Sequence, residues 1–321
     1  MWYSVSNQKE GGRVSMEWKK MLQNCHACPR ACGAARLDGE KGFCQAGLLP
    51  KVALVSCHQW EEPPISGTRG SGTVFFSHCN LRCVFCQNHI ISAEGYGIEI
   101  TVERLGEIFL EQQEKQYHNV NLVSAVPYLP QTAAALEWAK NHGLTIPVVY
   151  NSSGYESVEG LRLLDGLVDV YLPDLKYHSN ELAEKYSAAK DYPDAAQKAI
   201  LEMKRQVGEN QYDADGMLQK GMILRHLILP GCYRDSFQVL DWIRENLGED
   251  TWISLLRQYT PTYGAANYPE INRKLTTFEY EKVVGHFFEI GLKNGFTQEK
   301  QSAQSSYTPL FDGRGVLQKE E

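Results

Sequence analysis

Residues 72–88 read GTVFFSHCNLRCVFCQN, an apolar, β-branched and aromatic run followed by a loop carrying Cys79, Cys83 and Cys86. The run predicts a strand, because such side chains fit a pleated, buried surface. The loop therefore leaves a strand at its C-terminal end. With nine cysteines in 321 residues, C-x3-C-x2-C is a poor accident. Thiolates at these spacings reach one metal centre. A closed structural zinc prefers four protein ligands, and iron–sulfur clusters are otherwise held by four cysteines. Three thiolates therefore point to a [4Fe–4S] cluster with one iron left for another ligand. A catalytic zinc with an open fourth position is the competing reading.

Working outward, apolar runs at 120–126, 146–153, 169–175, 223–229 and 252–259 predict further strands, with a shorter candidate at 294–299. Amphipathic stretches lie between them. Thr101 and Ser157 read as helix N-caps, and Gly143, Gly166 and Gly248 as helix stops. Strands separated by ten to twenty helical residues mean βα units and parallel pairing. The expected fold is α/β, a partial (β/α)6 TIM-type barrel with a short Cys-rich N-terminal extension. An open doubly wound sheet is the alternative. Either arrangement puts ligands at the C-terminal ends of the strands.

The chain is 43% hydrophobic and 22% charged, an ordinary globular composition. Thirty-two basic residues against 39 acidic ones leave −7, which argues against nucleic-acid binding driven by bulk charge. The sequence has no apolar run long enough for a membrane span. Residues 1–15 lack the apolar core of a secretory signal, so the expectation is a cytoplasmic protein.

Residues 1–56 form the expected N-terminal metal-binding segment, and 57–321 the core barrel with a C-terminal extension. Cys25, Cys28, Cys32 and Cys44, among the turn-permitting Gly33, Gly39 and Gly42, could close around a zinc or a second [4Fe–4S] cluster. Cys57, beside His58, Glu61 and Glu62, reads as a loop residue without a role, with a third-site ligand or a thiol near the substrate as the alternatives, and Cys232 after Pro230-Gly231 is open in the same way. After a polar stretch, YTPLFDGRGV (307–316) reads as a lid or packing strap.

The pattern Cys79-x3-Cys83-x-Phe85-Cys86 after the first strand of a β/α repeat resembles the radical S-adenosylmethionine (SAM) superfamily. Within it, GTRGSGTVFFSHCNLRCVFCQN, VVYNSSGYE, DVYLPDLKY, RHLILPG, QYTP and NGFTQE are similar to relatives of pyruvate formate-lyase activating enzyme, over about residues 25 to 316. The resemblance implies that the open iron chelates SAM. One electron then cleaves a carbon–sulfur bond, and the 5′-deoxyadenosyl radical abstracts hydrogen. It implies a protein or peptide substrate, with a glycine Cα as target if the activating-enzyme likeness extends that far. The reductant would be a flavodoxin or ferredoxin. Radical modification of a peptide side chain or small metabolite is the alternative. An iron–sulfur electron-transfer or interaction module is the non-enzyme reading.

The resemblance also suggests residues. Phe85 would lie against the adenine. Ser124 opens SAVPYLPQ, where the superfamily has a glycine-rich segment for the SAM amino group; this chain lacks the glycines. Asn151 and Ser153 suit ribose hydroxyls or the carboxylate, although such residues also cap helices. Asp174 and Lys176 resemble the DLK of glycyl-radical activating enzymes and face SAM or a cation. Arg225 would take the carboxylate or ribose, with its neighbour His226 pointing away, since strand side chains alternate. Gln258 would face substrate; with Asp174 and Lys176 it is a catalytic candidate.

Overall fold

The structure, a computed structural model, describes residues 14–299 and 309–318. Residues 1–13, where a secretory signal was not expected, the stretch 300–308 and residues 319–321 lie outside the described residues. Among the described residues ten strands share one sheet: β1 (Lys51–His58), β2 (Ser71–Phe76), β3 (Ile98–Glu99), β4 (Val120–Val123), β5 (Val148–Ser152), β6 (Val170–Pro173), β7 (Gln211–Tyr212), β8 (Leu218–Leu227), β9 (Trp252–Leu256) and β10 (Asn294–Thr297). Their order is β10-β9-β8-β6-β5-β4-β2-β1-β3, with β7 attached to β8. From β2 to β10 the path is parallel. β1 is antiparallel to both β2 and β3. This is a mixed α/β fold with a mostly parallel sheet, the open form of a TIM-type barrel. The short candidate at 294–299 adds a seventh parallel strand to the six expected.

The helices are α1 (Val14–Gln23), α2 (Pro63–Ser66), α3 (His89–Ser92), α4 (Val102–Glu114), α5 (Leu129–Asn141), α6 (Val158–Arg162), α7 (Asn180–Ser187), α8 (Tyr192–Val207), α9 (Tyr233–Leu247) and α10 (Thr277–Glu289). Thr101 Oγ1 accepts from Arg104 N–H to start α4, and Ser157 Oγ from Gly160 N–H to start α6. Thr276 and Glu279 form a reciprocal capping box on α10. Helical spacing puts Leu105, Ile108 and Phe109 of α4, and Ala196, Ala199, Ile200 and Met203 of α8, on buried faces. All six residues of β2 and all four of β6 are buried, as expected of parallel strands covered on both sides. Burying each large aliphatic side chain contributes about 1.5–3 kcal/mol before the entropy cost.

The expected domain boundary at 56/57 falls inside β1. Val52, Ala53, Leu54 and Val55 are buried, and the strand pairs along β2. Cysteines on either side mask this short apolar run in the sequence. At the other end of the chain, Gly313 N–H donates to Ala53 O (3.0 Å) and Val55 N–H to Arg314 O (2.9 Å). Phe311 packs edge-on to Phe75, ring centroids 5.5 Å apart. Gly315, at positive φ, lets the two backbones approach, since a Cβ there would meet Val55 O at 2.7 Å. Residues 309–318 are therefore a strap.

The cysteine-rich lobe docks on the core through buried polar contacts. Arg30 Nε donates to Asn80 O (3.1 Å), Arg36 Nη1 to Pro127 O (2.7 Å) and Gln131 Nε2 to Leu48 O (2.6 Å). Arg30 and Arg82 both lie over the Phe43 ring, 3.9 and 4.5 Å from its centroid.

Candidate active site

A cavity of about 650 Å³ opens where the parallel strands end, within the size range of small-molecule sites. Cys79, Cys83 and Cys86 line one wall, presented by the loop after β2. Ser124 follows β4, Asn151 and Ser153 come from the end of β5, Asp174 follows β6, Lys176 lies two residues on, Arg225 sits on β8 and Gln258 follows β9. All of them line the same cavity.

The thiols sit deep. Burial pushes Cys79 up to about 12, and repulsion from Cys83 adds to it. Burial likewise raises Cys83 to about 11 and raises Cys86. Three thiolates here need compensating positive charge, which iron supplies. Donors already surround the sulfurs: Leu81 N–H lies 3.4 Å from Cys79 Sγ. Ser187 Oγ is 3.0 Å from Cys83 Sγ, and Ser92 Oγ 3.2 Å from Cys86 Sγ. Among the described residues, no three His, Cys, Asp or Glu side chains converge on a single ion position. Ligands to separate corners of a four-iron cluster need no such convergence. The donor set fits a cluster.

Lys176 pairs with Asp174. Burial pulls the ammonium down, but Asp174 and the nearby Cys83 outweigh it, so Lys176 stays charged beside the thiols. Ser124 holds φ at +60°, the left-handed region that glycine adopts freely. Such strain in a non-glycine residue persists only where the surroundings fix it.

The site contains two carboxylates that the sequence named without giving them a place in it. Glu61 and Glu62, on the loop between β1 and α2, reach into the barrel. Glu61 Oε2 lies 3.3 Å from Arg225 Nη1, and Glu62 Oε1 3.4 Å from Arg225 Nε. Glu61 Oε1 accepts from Asn121 (3.0 Å) and Asn151 (3.3 Å). Burial lowers the Arg225 pKa, but the Glu62 and Glu61 charges override it. Ser153 Oγ and Glu62 Oε2 are buried without a hydrogen-bond partner. Two such atoms in a cavity wall are unused capacity for a polar ligand. The only sequence signal was the EEPP run itself, two carboxylates before a proline-defined helix start.

Phe85, expected against the adenine, stands apart from the other expected residues. It does not line the cavity; its ring is buried in the core, edge-on to Tyr259 with centroids 5.7 Å apart. The short link between Cys83 and Cys86 turns Phe85 inward while the sulfurs face the cavity. Phe75 and Phe76 are the aromatic residues on the wall. His226 points away from the cavity, its ring nitrogens bonded to Leu175 O (2.6 Å) and Ser236 Oγ (2.8 Å). Cys57 is exposed beside Gln59, and Cys232 is half-buried at the start of α9. Neither reaches the site.

Residues 73–212 match the family model of the radical SAM superfamily. An uncharacterised protein of Methanocaldococcus jannaschii is 33% identical over 279 residues, covering 83% of this chain and 75% of that protein. Among solved structures, Streptococcus suis SuiB bound to S-adenosylmethionine superposes with a TM-score of 0.49 at 14% identity, covering 69% of this chain. The chain spans 48% of SuiB, about half its length. Methylornithine synthase (PylB) gives 0.48 at 16% identity, covering 68% of this chain and 62% of that one. Among the described residues no helix is long and apolar enough to cross a membrane.

Proposed function

Because the chain belongs to the radical SAM superfamily, we propose that it abstracts hydrogen from a protein or peptide substrate, using SAM held in the cavity beside Cys79, Cys83 and Cys86. The observation that carries this reading is the meeting of three cysteine thiols, the Asp174–Lys176 pair and unsatisfied polar atoms in one cavity. When bound, a three-cysteine [4Fe–4S] cluster and SAM supply one-electron cleavage of a carbon–sulfur bond and the 5′-deoxyadenosyl radical.

The chain's own residues do the rest. Cys79, Cys83 and Cys86 would hold the cluster through their three thiolates. Ser187, Ser92 and the Leu81 amide hydrogen-bond the sulfurs. Lys176 brings positive charge to the thiolate side. Ser124, Asn151 and Ser153 offer short polar groups to the SAM amino acid and ribose, and Arg225, set by Glu61 and Glu62, offers a guanidinium to its carboxylate or ribose. Phe75 and Phe76 wall off water, which a low-potential centre requires. Gln258, held by Gln298 Nε2 (3.2 Å), faces the remaining space where substrate would lie.

A macromolecular substrate is supported by the rim. Trp60 is 69% exposed there, and exposed tryptophan at a cavity mouth suits docking of a polypeptide. If the sequence likeness to activating enzymes extends to substrate, the target is a glycine Cα of a partner polypeptide. A flavodoxin or ferredoxin is the proposed reductant, and the four N-terminal thiols a second metal centre.

The test is anaerobic reconstitution with iron and sulfide, followed by dithionite and SAM. Methionine and 5′-deoxyadenosine should accumulate in wild type and not in Cys83→Ala. A cluster that leaves SAM intact would refute the enzyme reading and support an electron-transfer module.

A further inference from the structure

Cys25, Cys28, Cys32 and Cys44 are folded together by tight turns: Gly33 N–H donates to Cys25 O (3.0 Å), Ala31 N–H to Cys28 O (3.0 Å), and Gly42, two residues before Cys44, lies directly on Cys32 Sγ. Gly42 is needed there: a Cβ on it would overlap Cys32 Sγ. Beside them, the Arg36 side chain is 1% exposed. Its hydrogen bonds go to Gly47 O, Pro127 O and Cys25 Sγ (3.9 Å), and among the described residues it forms no ion pair with a carboxylate. A buried guanidinium without an anion is costly. Four thiolates around a metal carry the missing negative charge, so Arg36 marks the set as a metal site rather than four idle thiols.

The location says which metal. Asn80 lies between Cys79 and Leu81 in the three-cysteine loop. Its Nδ2 donates to Tyr155 O (2.6 Å), its backbone oxygen accepts from Arg30 Nε (3.1 Å), two residues past Cys28, and its Oδ1 is 4.0 Å from Cys79 Sγ. One residue of the three-cysteine loop therefore lies against Cys79 on one side and holds the turn after Cys28 on the other. The Arg30–Phe43–Arg82 stack fixes the lobe against that loop. On the far side Cys32 is exposed, while Cys25 and Cys44 are buried. A purely structural ion needs neither an exposed ligand nor a path to the neighbouring sulfurs.

We propose that Cys25, Cys28, Cys32 and Cys44 hold a second [4Fe–4S] cluster that relays single electrons past Asn80 to the SAM site. This rests on the radical SAM reading above. One electron from a reduced flavodoxin or ferredoxin enters on the Cys32 side and leaves toward Cys79. The donor is oxidised by one electron and the SAM-site centre reduced by one. No bond forms or breaks, and no proton moves.

The experiment counts iron, sulfide and zinc on anaerobically reconstituted wild type, on Cys79→Ala/Cys83→Ala/Cys86→Ala and on Cys32→Ser/Cys44→Ser. It also records electron paramagnetic resonance of the reduced proteins with and without SAM. Wild type should carry iron for two clusters, their signals broadened by mutual coupling, and each variant should keep one. Zinc in stoichiometric amount, or a triple-alanine protein without iron, overturns the second cluster. If Cys32→Ser/Cys44→Ser does not fold, the triple-alanine variant and the wild-type coupling still decide. The relay is read as the rate of SAM-site reduction by flavodoxin divided by the rate with dithionite. That ratio should fall in Cys32→Ser/Cys44→Ser, and an unchanged ratio overturns the relay. Two clusters of which neither signal responds to SAM would instead sink the enzyme reading and leave the second site standing.

Discussion

Arg225 on β8 and Glu61, 164 positions earlier in the chain, meet inside the barrel with Nη1 and Oε2 3.3 Å apart. Glu62 flanks the same guanidinium, and the three side chains are between 4% and 14% exposed. Removing one partner from a buried pair strands the other. Arg225→Leu should therefore cost about 3–5 kcal/mol. Adding Glu61→Leu and Glu62→Leu should recover most of it, since apolar replacement of a whole buried network is often neutral. Urea midpoints of the single and triple variants measure both. A single variant as stable as wild type would show that the pair is solvated.

Ser187→Ala removes the hydroxyl beside Cys83 Sγ and leaves Tyr177 OH, 2.8 Å from that hydroxyl, without it. Hydrogen bonds to sulfur raise a cluster's potential by stabilising its reduced form. The variant should keep its iron, show a more negative midpoint in redox titration, and lose about 1–3 kcal/mol of stability from the orphaned phenol.

Lys176→Met deletes the positive charge beside the thiols and leaves Asp174 without its ion-pair partner. We expect SAM affinity to drop about tenfold or more, equivalent to about 1.4 kcal/mol. Calorimetric titration of the reconstituted, oxidised protein checks it; an unchanged affinity would remove Lys176 from the SAM site.

Glu156 lies buried behind β5, and burial, aided by the Asp174 charge, lifts its carboxyl to about 7 despite the hydrogen bond from Ser152 Oγ (2.6 Å). The folded state then binds the proton more tightly than the unfolded chain does. Stability is consequently lost as pH rises from the ordinary value of 4.5 to about 7, and is level above that. The total is of order 3 kcal/mol. Glu156→Gln should lack this slope, so its urea midpoint should gain on wild type between pH 5 and pH 7 and run parallel beyond.

Ser124→Gly relieves a left-handed residue that costs roughly 1–2 kcal/mol when it carries a Cβ. We expect the glycine variant to be at least as stable as wild type, and Ser124→Val to be destabilised. Thermal melts distinguish them.

The parallel strands, their helices and the three-cysteine loop were legible because each rests on local periodicity or on fixed spacing. Arg225 and His226 were separable because alternate strand residues face opposite ways. The reach of Glu61 and Glu62 was not legible, since it depends on β1 pairing antiparallel beside β2 and on a loop crossing the barrel mouth. Phe85 shows the opposite limit: adjacency to two ligands in sequence says nothing about which way a side chain turns in a tight loop. Asn80 carried no signal, being one more polar loop residue until the lobe packed on it.

The strap along β1 has a practical bearing on handling the protein. A truncation ending before residue 309 would strip the partners from Ala53 O and Val55 N–H, and bared backbone groups invite a second polypeptide to add itself. A purification tag fused tightly after Val316 would crowd the same region, since the Val316 carbonyl also accepts from Arg104 Nε (3.0 Å).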